Sequence, residues 1–300
     1  MNTICNFPDI DIYLLLFLDL KNIIVLSIIS KAQYALISKL DYMTELYKLR
    51  LHHQYIYNYA ITQYNSESPY TSSLNVTDYA SKYNYMALIQ HIHNSVTNFE
   101  YTYNAIDYAA EYGNIEVLEW FNKSKYIFKY TNNAINYASK NNHIKILEWF
   151  DKSNHEFKYD HNAINLAAGN NHIDVLEWFV KSKYEFKYSC NAINLAAGNN
   201  HINVLEWFVK STYEFKYSNN AIILASEYGH IDVLEWFDKS VYKFKYNTKA
   251  IDYAAFNDQI HVLEWFYKSK YEFKYTDATY WATYKKHQRI LTWLEEHNFT

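Results

Sequence analysis

The sequence predicts an all-α solenoid, a stack of 29-residue helical units preceded by a small three-helix N-terminal domain. Three observations lead there. Trp120, Trp149, Trp178, Trp207, Trp236 and Trp265 fall 29 residues apart, and Ala105, Ala134, Ala163, Ala192, Ala221 and Ala250 keep the same step. Self-similarity at such a period marks an array whose units bury their apolar faces on one another. The 300 residues include only 4 Gly and 2 Pro against 33 Tyr, too few turn formers for an all-β fold. Within each unit, apolar residues recur at helical spacing.

Composition narrows function before any motif does. Lys and Arg number 28 and Asp and Glu 32, a net charge of −4. That balance argues against nucleic acid as the main partner, because neutralising phosphate needs a basic surface. Cys5 and Cys190 are too far apart in sequence for a disulfide framework or a zinc-finger spacing, which fits a reducing, cytoplasmic setting. The apolar stretch Ile12–Ser30 is long enough to suggest a membrane span, but Asp19, Lys21 and Asn22 stand at its centre. Each ion there costs roughly 2.5–3.5 kcal/mol on insertion scales. No Lys or Arg precedes the run Ile12–Leu18, so it does not read as a signal peptide either.

Residues 1–55 do not repeat and read as three helices, Ile10–Leu18, Leu20–Ser30 and one around Tyr42–Leu51, with Asp19 able to cap the second. Phe7-Pro8, Leu15-Leu16-Phe17-Leu18 and the run Asp19 to Lys31 resemble an F-box, and Tyr34, Leu36-Ile37 and Glu45 to Arg50 extend the likeness. The resemblance implies docking onto the adaptor subunit of a cullin ubiquitin ligase through Pro8, Leu15, Leu18, Leu20, Ile23, Ile24 and Leu26. The sequence departs from that family at Phe7, where the family has Leu, and at Gln33 or Tyr34, where it has Trp or Phe. The other reading of these helices is a cap that closes the repeat stack. Residues 56–75 lose the pattern, and Asn65-Ser66-Glu67-Ser68-Pro69 reads as a linker.

From residue 76 to 300 the chain reads as about eight units, the last truncated. In each, a first helix follows an Asn (Asn104, Asn133, Asn162, Asn191, Asn220) expected to serve as its N-cap. It carries a small Ala-Ala or Ala-Ser pair that permits close helix contact. A second helix is expected over Ile173–Lys181 in the sharpest unit. Its apolar residues cover more than half the helix circumference, so neighbouring units must cover it. The link Tyr184-Glu185-Phe186-Lys187-Tyr188 alternates aromatic and charged residues, which predicts an extended segment with the rings facing the stack.

These units resemble the ankyrin repeat. Ala163-Ile164 stands where that family has Pro-Leu, Ala167-Ala168 at its Ala-Ala, and Asn171-His172 at its Gly-His, which Gly229-His230 keeps unchanged. Val175-Leu176 and Phe179 fill its second helix. The unit has 29 residues where the family has 33, which implies a shortened finger between repeats. The Trp- and Tyr-rich variant is similar to the ankyrin proteins of giant DNA viruses.

The repeated polar residues read as scaffold. His143, His172, His201 and His230 recur once per unit. Packed helices lie roughly 8–10 Å apart, too far for a ladder of histidines to share a metal at about 2 Å. They are expected to hydrogen-bond the inter-helix loops. Glu119, Glu148, Glu177, Glu206, Glu235 and Glu264 each precede a Lys by four residues, the favourable helix order. A second lysine row (Lys129, Lys158, Lys187, Lys216, Lys245, Lys274) is offset on the links by nearby Glu. No phosphate-binding glycine loop, zinc motif or nucleophile motif occurs, so no catalytic site, metal or cofactor is expected.

The sequence therefore predicts a monomeric, non-enzymatic interaction protein with a protein target and neither nucleic acid nor membrane as partner. Two readings stand: an adaptor bringing a target to a ubiquitin ligase, or a scaffold or decoy that binds and blocks. By resemblance, target contacts fall where units differ. Those positions are Tyr103, Asn132, His161, Cys190, Asn219 and Thr248 before the first helix, and Glu111, Tyr112, Lys140, Tyr228 and Phe256 at its end.

Overall fold

The computed structural model describes residues 76–95 and 99–299. The F-box-like segment, its adaptor-facing residues and the linker lie outside them. Among the described residues every regular element is an α-helix, and sixteen helices form eight antiparallel pairs. The pairs are α1 (Val76–Lys82) with α2 (Met86–Ser95), α3 (Asn104–Glu111) with α4 (Ile115–Lys123), and α5 (Asn132–Lys140) with α6 (Ile144–Lys152). Then come α7 (His161–Gly169) with α8 (Ile173–Lys181), α9 (Cys190–Gly198) with α10 (Ile202–Lys210), and α11 (Asn220–Glu227) with α12 (Ile231–Lys239). The last are α13 (Lys249–Phe256) with α14 (Ile260–Lys268) and α15 (Ala278–Lys285) with α16 (Gln288–Glu296). The chain forms two compact units that divide at Ala105 and Ile106. In the first, Thr102 donates its backbone N–H to Asp78 Oδ1 at 2.8 Å. In the second, α4 to α16 stack repeat upon repeat.

Side-chain size sets the packing. Ala163, Ala167 and Ala168 on α7, and Ala192, Ala196 and Ala197 on α9, are fully buried. With so little side chain between them, successive first helices pack closely, whereas successive second helices scarcely meet. From α4 to α14 each second helix buries Val or Ile, Leu and Phe (Val175, Leu176 and Phe179 on α8) under its own hairpin partner and leaves its Trp half-buried. The core is thus a row of alanines and isoleucines flanked by a row of phenylalanines.

Short polar motifs set the bounds of each helix. Asp160 caps α7 by accepting the Asn162 N–H at 2.8 Å, and Thr131 and Ser189 do the same for α5 and α9. This corrects the expected caps. Asn133, Asn162 and Asn191 sit in the first turn as donors, while the cap is the residue two positions earlier. The first helix ends in a Schellman turn. Asn171 takes a left-handed φ of 59°, its N–H reaches Ala168 O, and the His172 N–H reaches Ala167 O. Asn142 and Asn200 repeat this, and Gly113 and Gly229 supply it where the unit has Gly. The second helix stops at a serine: Ser182 Oγ donates to Phe179 O at 2.8 Å and accepts the Tyr184 N–H at 3.2 Å.

The links carry no regular element and pair into no strand among the described residues. A three-residue turn, Lys187 N–H to Glu185 O at 2.9 Å, kinks this link at Phe186, and Lys158 and Lys216 make the same turn with Glu156 and Glu214. Phe186 is 9% exposed while Glu185 and Lys187 face water.

Candidate functional site

Three hydrogen-bond and ring ladders join neighbouring repeats, and together they decide which side chains are left free. The innermost starts from a polar residue buried in each first helix. Asn165 Oδ1 accepts the Ser189 N–H at 3.0 Å, and its Nδ2 donates to Ser189 Oγ at 2.8 Å. Asn194 treats Ser218 the same way. Where the buried residue is Asp107, the cap is Thr131, which donates both its N–H and its hydroxyl to the carboxylate. Where the cap is Asp160, the buried residue is Asn136, whose Nδ2 donates to it at 3.0 Å. Among these pairs a carboxylate always meets a donor.

The second ladder lies at the helix ends. His230 Nε2 donates to Gly198 O at 3.1 Å, and His287 Nε2 to Phe256 O at 3.0 Å. The rings of His143, His172 and His201 face the carbonyls of Glu111, Lys140 and Gly169 at the equivalent places. The expected loop role holds, but the acceptor belongs to the preceding repeat. Burial holds these four imidazoles below their ordinary pKa of 6.5. Asn141 Nδ2 and Asn199 Nδ2 add bonds to Glu111 O (2.9 Å) and Gly169 O (2.6 Å).

The third ladder is aromatic. Phe157 stacks on Tyr184 of the next link at 3.9 Å and 16°, and on Trp178 at 5.6 Å and 21°. Phe186, Phe215 and Phe244 repeat the arrangement. Tyr159 donates its hydroxyl to Glu185 O at 2.5 Å, and Lys187 lies 4.8 Å above its ring. At Tyr130, burial and then the Glu156 carboxylate push the phenol up to about 12. Lys158, Lys187, Lys216 and Lys274 also meet the Glu two positions earlier, as at Lys216–Glu214, 3.6 Å. These four are therefore engaged twice over and do not form an open basic track. The other lysine row forms the expected i,i+4 pairs, Lys239–Glu235 at 2.7 Å being the shortest.

These contacts explain why some positions can vary. At Glu111 and Lys140 the scaffold uses the main-chain carbonyl, so the side chain can differ between repeats, whereas at Gly169 and Gly198 a Cβ would lie 2.8 Å from Leu195 Cβ and Leu224 Cβ and only glycine fits. Tyr112 is 46% and Tyr228 53% exposed, both beside this row of carbonyls. In the first unit Tyr103 is 50% exposed. His161 is exposed and Cys190 half-buried at the starts of α7 and α9. Glu111 and Lys140 are half-buried, and Lys140 lies 5.8 Å from the Tyr137 ring. Phe256 is less free than its place in the repeat suggests, because the edge of Trp281 meets it at 5.3 Å and Lys285 covers it at 4.2 Å.

No cluster of three or more metal-ligating side chains occurs among the described residues, and none of their helices is long and apolar enough to cross a membrane.

A fixed main-chain scaffold that presents interchangeable side chains defines a helical-repeat binding array. The family comparison specifies which kind: the model described as "Ankyrin repeats (3 copies)" matches residues 135–219 and 164–250. Residues 135–250 thus match ankyrin repeats, which are generally non-enzymatic modules and indicate a role in protein–protein interaction. No curated protein matches the chain.

Proposed function

We propose that the first-helix face of the repeats binds a protein target and that residues 1–55 act as an F-box, bringing that target to a cullin ubiquitin ligase in the cytoplasm. The observation that carries the first half is the release of side chains at the helix ends. At Glu111 and Lys140 it is the main-chain carbonyl that serves the next repeat, so the side chains there, and the exposed rings of Tyr112 and Tyr228 near this row, can differ between repeats and meet a partner. His161, Cys190 and Phe256 extend the surface at its edges, and Tyr103 is a candidate contact of the first unit by itself. The second half rests on the Phe7-Pro8 and Asp19-Leu20-Lys21-Asn22-Ile23-Ile24 resemblance, and the likeness to giant-virus proteins suggests a host target.

Calorimetric titration of the full chain with the ligase adaptor subunit tests the second half. Binding that is lost when residues 1–55 are removed supports it. No binding by the intact chain reduces those residues to a cap and leaves a scaffold or decoy. For the first half, a photo-crosslinking amino acid is placed at Tyr112 or Tyr228 and, as control, at Lys123 on α4. A partner captured from the first two positions alone supports the assignment, and equal capture from Lys123 refutes it.

A further inference from the structure

The second helices carry a repeating polar triad that two adjacent repeats lack. Asp151 accepts from Lys183 Nζ at 2.9 Å and from the Tyr184 hydroxyl at 3.0 Å. Asp238 accepts from Lys270 at 2.7 Å and from Tyr271 at 2.9 Å. In the two repeats between them the Asp is Val180 and Val209, and the Lys is Thr212 and Val241. The tyrosines remain. Tyr213 and Tyr242 still stack on Phe186 and Phe215, at 4.2 and 4.1 Å, but neither hydroxyl has a hydrogen-bond partner among the described residues.

The result is an open groove of about 490 Å³ lined by Val209, Trp236, Val241 and Tyr242. Val241 is 96% exposed and Val209 45%. The rim carries Lys210 and Lys239. Glu206 is engaged by Lys210 at 3.5 Å, and Ser240 Oγ already bonds Phe237 O and the Tyr242 N–H. The unpartnered polar atoms in the groove, the Tyr242 hydroxyl and the Trp236 Nε1, are both donors.

The geometry points to a second binding surface, at Val180–Tyr213 and Val209–Tyr242, for an extended acidic segment of a partner protein whose carboxylates take the places that Asp151 and Asp238 fill in the flanking repeats. The flanking triads show that such a tyrosine bonds a carboxylate. Packed helices lie roughly 8–10 Å apart, and in a polyproline-II segment, with three residues per turn and a rise of about 3.1 Å, residues three positions apart share a face about 9 Å from one another. Two acidic residues three positions apart in that conformation therefore reach both tyrosines. This surface is separate from the first-helix face, so either can fail without the other.

The test titrates the full chain with a synthetic peptide bearing Asp-Leu-Val-Asp, followed by Trp fluorescence, against the same peptide with Asn for Asp. The discriminating variant is Val209→Asp with Val241→Lys, which rebuilds the flanking triad from residues the fold already accommodates. Tyr242→Phe removes the hydroxyl alone. Saturable binding that weakens at least tenfold with the Asn peptide and with both variants, at unchanged thermal midpoint, supports the proposal. No saturable binding by the unaltered chain, or equal binding by Val209→Asp/Val241→Lys, overturns it. Should that variant unfold, Tyr242→Phe decides in the same way.

Discussion

Asn165 and Ser189, twenty-four residues apart, exchange two hydrogen bonds across a repeat boundary: Ser189 N–H to Asn165 Oδ1 at 3.0 Å and Asn165 Nδ2 to Ser189 Oγ at 2.8 Å. The same Ser189 Oγ accepts the Asn191 N–H at 3.2 Å. One buried amide thus fixes where the next first helix begins and which way its cap points. Asn165 is 1% exposed, so water cannot replace it. Replacing Asn165 by Ala leaves Ser189 N–H without its acceptor, and the expected loss is about 1–3 kcal/mol. Urea unfolding measures it, and a loss below about 0.5 kcal/mol would mean that solvent reaches the site.

The histidine ladder makes stability depend on mild acid. His143, His172, His201 and His230 have folded-state pKa values lowered from 6.5, first by burial, and His201 also by its neighbours His172 and His230. The folded state therefore binds fewer protons than the unfolded one, so stability rises with pH across this range. The contribution is complete above 6.5 and is lost as pH falls through the lowered values. The urea midpoint should drop between pH 7.5 and pH 5.5, before most carboxylates titrate. His230→Gln should flatten the profile, since Gln259 already stands at the equivalent position. An unchanged profile in that variant would assign the acid sensitivity elsewhere.

Close approach of the first helices sets the outcome at Gly169. A Cβ there would lie 2.8 Å from Leu195 Cβ. Alanine in a helix interior normally gains roughly 0.5–1 kcal/mol over glycine. Overpacking of this kind costs roughly 1–3 kcal/mol, so Gly169→Ala should destabilise by about 1 kcal/mol on balance. A higher thermal midpoint in this variant would show that the helices can separate.

Within the aromatic ladder, ring burial should outweigh cation–ring attraction. Phe186, stacked on Tyr213 and Trp207, is 9% exposed, and Phe186→Ala should lose roughly 3–5 kcal/mol. Lys216 lies 4.9 Å above the Tyr188 ring with its side chain 44% exposed, so Lys216→Gln should lose only about 0.5 kcal/mol. Denaturant midpoints of the two variants compare them directly. Equal losses would mean that the lysines, rather than the rings, hold the links.

Much of the scaffold could be read before any coordinates. The 29-residue step, the bounds of α8 and the alternation in the link follow from local periodicity, which depends on residues close in sequence. The caps were misplaced because Asn162 and Asp160 are both good capping residues, and only the geometry shows which side chain accepts. The signal for the buried pairs was present as Asp107 with Thr131, Asn136 with Asp160 and Asn165 with Ser189, but it is visible only when positions twenty-four apart are compared. The candidate contact residues were found as positions of variation, and that method could not show Phe256 lying against Trp281.

By itself the sequence determined the class of the protein, because a repeating apolar pattern with few turn formers can bury its faces only by stacking copies of itself. The tertiary structure decided which polar groups the stack consumes. Asn165, His230 and Lys187 look alike in sequence as surface-type residues. Stacking turns the first into a buried latch, the second into a donor to the preceding repeat and the third into a cover for Tyr159. It also left Tyr242 without the carboxylate that Tyr271 has. The reason is physical: a hydrogen bond or ring contact between repeats joins residues twenty-four to thirty-three positions apart, and no local pattern contains both partners.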